Sequence, residues 1–307
     1  MTDESKTRVK DVRRALVVFK ASKLDRYRDD GTLYARKNDD DADVKAVYGR
    51  LTAAHEEHEA SVRGIEKTLQ RHGLEVTRAT HPRKADVARA DLVVAVGGDG
   101  TFLWTARKVG NVPMLGVNSA PGASTGHYCA ANMETFPQFL DEICTGKLEP
   151  TDLPRLSLTL NGNRIPYTAS NDVLFAHRCP AASSRYLLRV GEESEMQVSS
   201  GIWIATQPGS TGAISSAGGE TMTLGDLRLQ YRVNNAYRGR GERPSLLAGF
   251  HEGPIKIVSR SPNNAIFLDG PTLSYRVDFG SVLKVALDAR PLRVYGYGKV
   301  PLFPRQA

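Results

Sequence analysis

The most constraining feature of this sequence is an apolar run that ends in a glycine-rich turn containing an acid. Residues 91–101 read Asp-Leu-Val-Val-Ala-Val-Gly-Gly-Asp-Gly-Thr. The run at 92–96 is rich in valine, which is typical of a strand buried on both faces of a parallel sheet. A helix is predicted from Phe102, and open α/β sheets bind their ligands where strands end and helices begin. The turn at 97–101 therefore predicts a ligand site.

The acid in this turn, Asp99, indicates the kind of chemistry. Gly97, Gly98 and Gly100 let the backbone approach a ligand, and the amides of a helix N-terminus favour phosphate oxygens. Asp99 would repel phosphate, so we expect it to hold Mg²⁺ or to take a proton from an attacking hydroxyl group. This combination favours phosphoryl transfer. The alternative is that Asp99 only caps the helix.

Composition and charge narrow the class of protein. The chain has 307 residues, a net charge of +7 and three cysteines, and its cations are spread rather than clustered with aromatic residues. We therefore expect no nucleic-acid partner, and the absence of a long apolar run predicts no membrane span. The cysteines lack metal-ligand spacing, so no protein metal site is predicted. Residues 1–6 carry acids and no hydrophobic stretch, and we expect a cytoplasmic protein with reduced thiols.

The first half of the chain alternates strand and helix patterns. Short apolar runs at 15–19, 74–77, 92–96 and 112–117 are separated by helical periodicity, most clearly in an amphipathic helix at 42–72. This pattern predicts a doubly wound α/β domain over residues 1–148, onto which a tail at 291–307 is expected to pack. His55 and His58 lie beside four acids in the long helix, and we predict that they face solvent.

The second half is predicted to be an all-β domain of the sandwich type over residues 149–290. Short β-type runs are separated by turns, and Asn161-Gly162 is a strong hairpin signal. Residues 208–246 are predicted to form loops and a helix.

One loop of the first half matches a hydrolase motif. Residues 122–126 read Gly-Ala-Ser-Thr-Gly, the spacing of a nucleophile elbow. The preceding strand ends too early and Pro121 intervenes, so a polar loop beside the glycine turn is favoured.

Two polar stretches of the β-domain are candidates for binding a dinucleotide. Asn171 and Asp172 precede an apolar run and could grip ribose hydroxyls or an adenine edge. The alternative is an Asx turn that starts a strand. Residues 206–219 form a loop of small and hydroxyl-bearing residues, for which binding is favoured over a flexible linker.

Together these motifs resemble the NAD kinase family over residues 14 to about 297. The similar segments are the GGDGT turn with its following Phe-Leu-x-x-Ala-Arg, Asn171-Asp172, the 206–219 loop and Asp269-Gly270. Finer similarities at residues 19–27, 116–129 and 199–201 point to the mitochondrial-type branch. The resemblance implies an α/β domain followed by a β-sandwich, and phosphate transfer from ATP to the adenosine ribose 2′-hydroxyl of NAD⁺, with NADH as a further acceptor and with Mg²⁺. It also implies a homodimer or higher homo-oligomer with the β-domains in contact.

The same resemblance assigns site residues. Asp99 would be the base or orienting acid for the 2′-hydroxyl group, and phosphate would lie against Gly97, Gly98, Gly100 and Thr101. The positions that would bind NAD are Asn118, Asn171, Asp172, Thr211, Gly212, Ala213 and Ser216.

The sequence departs from the family pattern at three positions of the dinucleotide site. An Asp is replaced by Ser200, a Tyr by Ala213, and a Gln by Pro271. Two alternatives to an NAD kinase are compatible with parts of the sequence, and Ser200 and Ala213 favour the second of them. A diacylglycerol- or sphingoid-type lipid kinase shares the GGDGT motif, but usually carries Asn-Glu after it. A dinucleotide-binding regulator without catalysis would have no need of Asp99.

Overall fold

The computed structural model describes residues 12–29, 31, 41–237, 239 and 244–298. The chain divides into two compact units, Met1–Thr151 with Arg293–Ala307, and Asp152–Leu292. Most of the polar loop at 28–43 and the end of the predicted tail lie outside the described residues. Within the described ranges, no helix combines the length and apolarity needed to cross a membrane.

The first unit is an α/β layer structure. Its strands in the first half of the chain are β1 Arg14–Phe19, β2 Glu75–Ala79, β3 Leu92–Val96, β4 Met114–Asn118, β5 Cys129–Asn132 and β6 Pro150–Leu153, the last of which crosses the boundary between the units. Its helices are α1 Lys23–Asp29, α2 Ala42–Arg71, α3 Lys84–Arg89, α4 Asp99–Ala106 and α5 Phe136–Cys144. The N-terminus of α2 is capped by the Asp41 carboxylate, which accepts the amides of Asp43 and Val44.

The second unit contains two six-stranded antiparallel sheets. Its strands are β7 Leu156–Leu160, β8 Asn163–Arg164, β9 Asp172–His177, β10 Ser184–Val190, β11 Glu193–Ser199, β12 Ile202–Ala205, β13 Leu229–Val233, β14 Ala248–His251, β15 Ile255–Ser259, β16 Asn264–Leu268, β17 Ser274–Val277 and β18 Val282–Leu287. A 3₁₀ helix at Pro208–Thr211 and a short helix, α6 Ala213–Ser216, follow β12. The last strand, β19 Leu292–Tyr295, returns to the sheet of the first unit.

Strand order in the first unit is β2-β1-β3-β4-β19-β6, with β5 beside β4. The pairs around β3 are parallel, and every residue of β3 and β4 is buried, as the continuous apolar runs predict. The buried face of α2 carries Val62, Ile65 and Leu69, which share one core with residues of β1 and β3. The carboxyl ends of β1, β3 and β4 therefore lie side by side.

The sheets of the second unit have the orders β11-β10-β15-β18-β7-β8 and β14-β13-β12-β9-β16-β17. They share a single apolar core, in which Phe175 of one sheet meets Tyr186 of the other edge to face at 5.2 Å. Asn161 and Gly162 both have positive φ, so the predicted β7–β8 hairpin turn is present. The predicted fold class, an α/β domain followed by a β-sandwich, is confirmed.

Four local expectations differ from the structure. Helix α4 begins at Asp99 rather than at Phe102, strand β13 lies in a segment predicted as loops and a helix, and strand β5 lies where no element was predicted. His58 was expected to face solvent, but it is 7% exposed. Its Nδ1 bonds Ser119 Oγ at 2.8 Å and its Nε2 bonds Lys20 O at 3.0 Å. The prediction for His58 was wrong because the helix packs against the strand ends there.

Candidate active site

The glycine turn directly follows β3 and is shaped by close contacts. A Cβ on Gly97 would collide with Thr101 Oγ1, and a Cβ on Gly98 would collide with Ser124 Oγ. Gly100 is exposed and has open space around it. The first two glycines are therefore required by packing within the turn, whereas Gly100 leaves the backbone open to a ligand.

Asp99 is the first residue of α4 and is held by a different segment of the chain. Gly98, not Asp99, is the N-cap residue of the helix. The Asp99 Oδ1 atom accepts the backbone N–H of Tyr128 at 2.8 Å. The side chain is half-buried, so it is fixed and still reachable. This geometry argues against the alternative that Asp99 serves only as a helix cap.

The loop after β4 lies against the glycine turn. Asn118 is buried, donates from Nδ2 to Ser124 O at 2.9 Å, and accepts the amide of Ala120 on Oδ1 at 3.2 Å. Ser124 in turn contacts Gly98. The loop leads into strand β5, whereas a nucleophile elbow leads from a strand into a helix. The residues at 122–126 therefore form a polar loop beside the turn and not a hydrolase elbow.

In the second unit, the Asp269 carboxylate organises the segment around Asn171. Its oxygens accept the backbone N–H groups of Ser170 at 3.0 Å, Asn171 at 2.7 Å and Asp172 at 3.3 Å. Asp269 itself has a φ of +46°, in the turn between β16 and β17. Three charge-assisted bonds to one carboxylate fix the backbone of this segment.

Asp172 is buried beside this ionised group. Burial, followed by the charge of Asp269, raises the pKa of Asp172 to about 7. A carboxyl group with such a pKa is largely protonated below neutrality and can donate a hydrogen bond as well as accept one. The predicted binding residue Asp172 is thus a titrating group near neutral pH.

The two predicted dinucleotide stretches come together. Thr206 Oγ1 donates to Ser170 O at 2.6 Å, and the amide of Thr206 donates to Asn171 O at 3.0 Å. A Cβ on Gly209 would collide with Asn171 O, and a Cβ on Gly212 would lie 3.7 Å from Asp172 Oδ2. Thr211, Ala213 and Ser216 are exposed. The loop therefore presents an open polar surface next to Asn171 and Asp172.

No group of three or more His, Cys, Asp or Glu residues suited to a metal ion occurs in the part of the chain that the structure describes. A divalent cation that accompanies a polyphosphate needs only one or two carboxylates from the protein, because the phosphates and water supply the other ligands. Asp99 meets this requirement in the first unit.

Comparison with known proteins decides the family. The family described as ATP-NAD kinase N-terminal domain matches residues 30–148. A probable NADH kinase of Oryza sativa subsp. japonica is 34% identical over 262 residues, which cover 77% of this chain and 81% of that protein. The chain belongs to the NAD kinase family. Human mitochondrial NAD kinase 2 is 29% identical over 253 residues, which cover 64% of this chain and 56% of that protein.

A solved structure of the NAD kinase family shares the fold. The crystal structure of an NAD kinase from Archaeoglobus fulgidus in complex with ATP superposes with a TM-score of 0.65 at 23% identity, covering 93% of this chain and 94% of that chain. The resemblance inferred from the motifs is thereby confirmed at the level of family and fold. The lipid-kinase alternative is not favoured.

Within this NAD kinase fold, the predicted site residues form two groups. Gly97, Gly98, Asp99, Gly100, Thr101 and Asn118 lie together in the first unit, and Asn171, Asp172, Thr211, Gly212, Ala213 and Ser216 lie together in the second. Two of the residues that depart from the family pattern, Ser200 and Pro271, are exposed. The ligand roles of all these residues stay predictions.

Sequence reasoning missed three residues of this NAD kinase family site. Asp269 was noted only as part of a hairpin, yet it holds the backbone of 170–172. His58 ties α2 to the ends of β1 and β4. Lys20 Nζ donates to Gly100 O in the glycine turn at 3.0 Å. The only signal for Lys20 was its position immediately after the first strand, at the edge where the other strands also end.

Proposed function

We propose that this protein is an NAD kinase that transfers the γ-phosphate of ATP to the adenosine ribose 2′-hydroxyl of NAD⁺ or NADH. Family membership and the 34% identity to a probable NADH kinase support the reaction class. The observation that carries the proposal is the placement of Asp99, a reachable carboxylate fixed at the start of α4 beside a glycine turn.

In the proposed reaction, the first unit handles the phosphates. The backbone of Gly97, Gly98, Gly100 and Thr101 binds phosphate oxygens, with support from the amides of α4. The 2′-hydroxyl oxygen forms a bond to the γ-phosphorus, the bond from this phosphorus to the ADP oxygen breaks, and the hydroxyl proton passes to Asp99. Bound Mg²⁺ would compensate the phosphate charge, and in the alternative role of Asp99 its carboxylate would hold that ion instead of taking the proton.

The second unit is proposed to bind the dinucleotide. Asn171 and Asp172 offer an amide and a carboxyl group that titrates near neutral pH beside Gly212, and Thr211, Ala213 and Ser216 offer the exposed surface of the following turn. Asn118 is proposed as a further NAD contact. A protonated Asp172 can donate to a ribose hydroxyl or to an adenine nitrogen without adding a negative charge next to the pyrophosphate.

The function is tested by incubating the protein with ATP, Mg²⁺ and either NAD⁺, NADH or diacylglycerol. We expect a 2′-phosphorylated dinucleotide, identified by chromatography and mass spectrometry, and no phosphorylated lipid. A folded protein that leaves both NAD⁺ and NADH untouched would refute the proposal.

Asp99→Asn tests the role of the acid. The amide oxygen of Asn can still accept the Tyr128 N–H, so the fold should persist, but the base and the negative charge are lost. We expect turnover to fall by about 100-fold or more, measured as initial rates at saturating ATP and NAD⁺. Asp29→Asn, an exposed change in α1, is the matched control and should retain wild-type turnover. A turnover of Asp99→Asn within twofold of wild type would make Asp99 only structural.

A cytoplasmic location is also proposed. Cys129, Cys144 and Cys179 are unpaired thiols, which fits the reducing cytoplasm.

A homodimer is proposed as well. The outward face of the sheet that contains β10 carries an apolar row across four strands, formed by Met196, Leu187, Val258 and Val282. Met196 is 53% exposed and Val282 is 41% exposed. We propose that the second units of a homodimer pack against each other through this apolar row.

A further inference from the structure

Lys20 occupies a specific place at the strand edge of the first unit. It follows Phe19, the last residue of β1, and Phe19 is the register partner of Val96, which directly precedes Gly97. Lys20 Nζ donates to Gly100 O at 3.0 Å, and its own carbonyl group is bonded to His58 Nε2. The ammonium group is therefore held at the glycine turn by two neighbouring elements.

The charged groups that act on Lys20 are cations. Burial, together with the positive charges of Arg107, of Arg26 in α1 and of Lys108, lowers the pKa of Lys20 to about 8. The ring of Trp104 contacts two of these cations, with its centroid 5.1 Å from Lys20 Nζ and 4.1 Å from Lys108 Nζ. His58, on the α2 side, has a pKa lowered by burial and is neutral at pH 7.

This arrangement is unfavourable in the protein alone. A half-buried ammonium group among like charges, with a neutral carbonyl oxygen as its acceptor, loses hydration without gaining an opposite charge. A polyanion at the glycine turn would reverse this balance, because its oxygens would lie close to the ammonium group and would neutralise the repulsion among the cations.

We infer that Lys20 binds the polyphosphate of the phosphoryl donor at the glycine turn and becomes fully protonated when the donor binds. This inference rests on the proposed use of ATP and adds Lys20 to the residues that bind it. The ring of Trp104 contacts the ammonium groups of both Lys20 and Lys108, so that Lys108 also lies near the proposed anion site.

The test is calorimetric titration of the protein with ATP and Mg²⁺ at pH 8, in two buffers that differ in ionisation enthalpy. About half of the Lys20 side chains are neutral at this pH, so ATP binding should take up about half a proton per site. The terminal phosphate of ATP is already ionised at pH 8 and contributes little, since its last pKa is about 6. Phosphate-bound Lys20 should also change the fluorescence of Trp104.

Two variants separate the effect of the positive charge of Lys20 on ATP binding from the effect of its proton uptake. Lys20→Met should abolish the proton uptake and weaken ATP binding by about 10-fold to 100-fold, in the range of a lost charge-assisted bond. Lys20→Arg should retain most of the ATP affinity but show no uptake, because guanidinium stays charged at pH 8. Lys23→Met, at an exposed position three residues away, is the matched control and should behave as wild type.

The inference is overturned if Lys20→Met retains the wild-type proton uptake with ATP affinity within twofold, or if the wild-type protein does not bind ATP. The inference about Lys20 does not depend on which molecule accepts the phosphate. Uptake that depends on Lys20, together with a failure to phosphorylate NAD⁺ and NADH, would support the donor site and refute the proposed function. If Lys20→Met does not fold, the loss of uptake in Lys20→Arg still decides the question.

Discussion

Asp172 shows how a single residue couples stability to pH. Its pKa in the folded protein, about 7, lies above the ordinary Asp value of 3.8 because the group is buried beside the charge of Asp269. Folding therefore favours the protonated form. The contribution of Asp172 to the stability of the second unit should be most favourable below pH 4 and should decrease as the pH rises from about 4 to 7.

The prediction is a pH-dependent effect of Asp172→Asn. The amide cannot ionise, so the variant does not lose stability between pH 4 and 7 through this group. The free energy of unfolding of the variant minus that of the wild type should therefore be about 1–4 kcal/mol larger at pH 8 than at pH 5, since one pKa unit corresponds to about 1.4 kcal/mol. The measurement is denaturant unfolding at both pH values, followed by the fluorescence of Trp203 in the neighbouring strand β12.

Asp278→Asn is the control for this measurement, because Asp278 is an exposed residue paired with Arg276. It should give the same shift between pH 5 and pH 8 as wild type. If the unfolding free energy of Asp172→Asn also changes by the same amount as that of wild type between pH 5 and pH 8, Asp172 does not titrate in this range. A carbon-13 NMR titration of the Asp172 carboxyl group gives the same answer without unfolding the protein.

The identity of such residues was predictable from sequence, but their protonation states were not. Asn171 and Asp172 stand out as polar residues before an apolar run, and Asp99 stands out in its glycine turn. The altered pKa of Asp172 depends on its burial and on Asp269, which the pairing of β9 with β16 brings beside it. The pKa of Lys20 likewise depends on burial and on cations from α1 and from the segment after α4.

At the scale of elements, His58 joins a helix to two strand ends. It connects α2 with Ser119, which follows β4, and with Lys20, which follows β1. Both ring nitrogens are used, so neither Ser119 Oγ nor Lys20 O depends on water for this bond. His58 thus helps to fix the edge of the sheet at which the glycine turn lies.

His58→Leu is expected to destabilise the first unit. The leucine side chain fills similar space but leaves two polar groups without the histidine bonds, which costs about 1–3 kcal/mol for each group that stays buried. The measurement is the free energy of unfolding at pH 7. Lys67→Leu, an exposed change in the same helix, should stay within about 0.5 kcal/mol of wild type.

A second comparison separates packing from hydrogen bonding. His58→Gln keeps a donor and an acceptor and should lose less stability than His58→Leu. Equal losses in the two variants would mean that the shape of the imidazole ring, and not its hydrogen bonds, stabilises this contact.

Elements with a strong local pattern were predicted well. Helix α2 has clear periodicity and a capping Asp41, β3 is a continuous apolar run, and Asn161-Gly162 specifies a tight turn. Strands β5 and β13 lack such signals, because β5 has only four residues and β13 lies in a polar segment. They are strands because β5 finds a pairing partner in β4, and β13 finds its partners in β12 and β14. Strand pairing of this kind depends on the tertiary structure and cannot be read from the local sequence.

At the scale of the whole molecule, the proposed homodimer depends on one face of a sheet in the second unit. The row of Met196, Leu187, Val258 and Val282 is an exposed apolar stripe on a sheet whose other face builds the core. The next row on the same face carries Arg189, Lys256 and Lys284 as direct cross-strand neighbours. Apolar burial thus favours association through this face, and the adjacent cations oppose it.

Sedimentation at micromolar concentration should therefore give twice the 33.5 kDa mass of one chain, with the dimer favoured by added salt because salt screens the cationic row. Val258→Glu places a charge in the middle of the stripe and should yield the single-chain mass, because an unpaired carboxylate buried in a contact is strongly unfavourable. Val47→Glu, at an exposed position of α2, should remain dimeric. A dimer that survives Val258→Glu would place the contact on another surface, and a monomeric wild type would refute the proposed assembly.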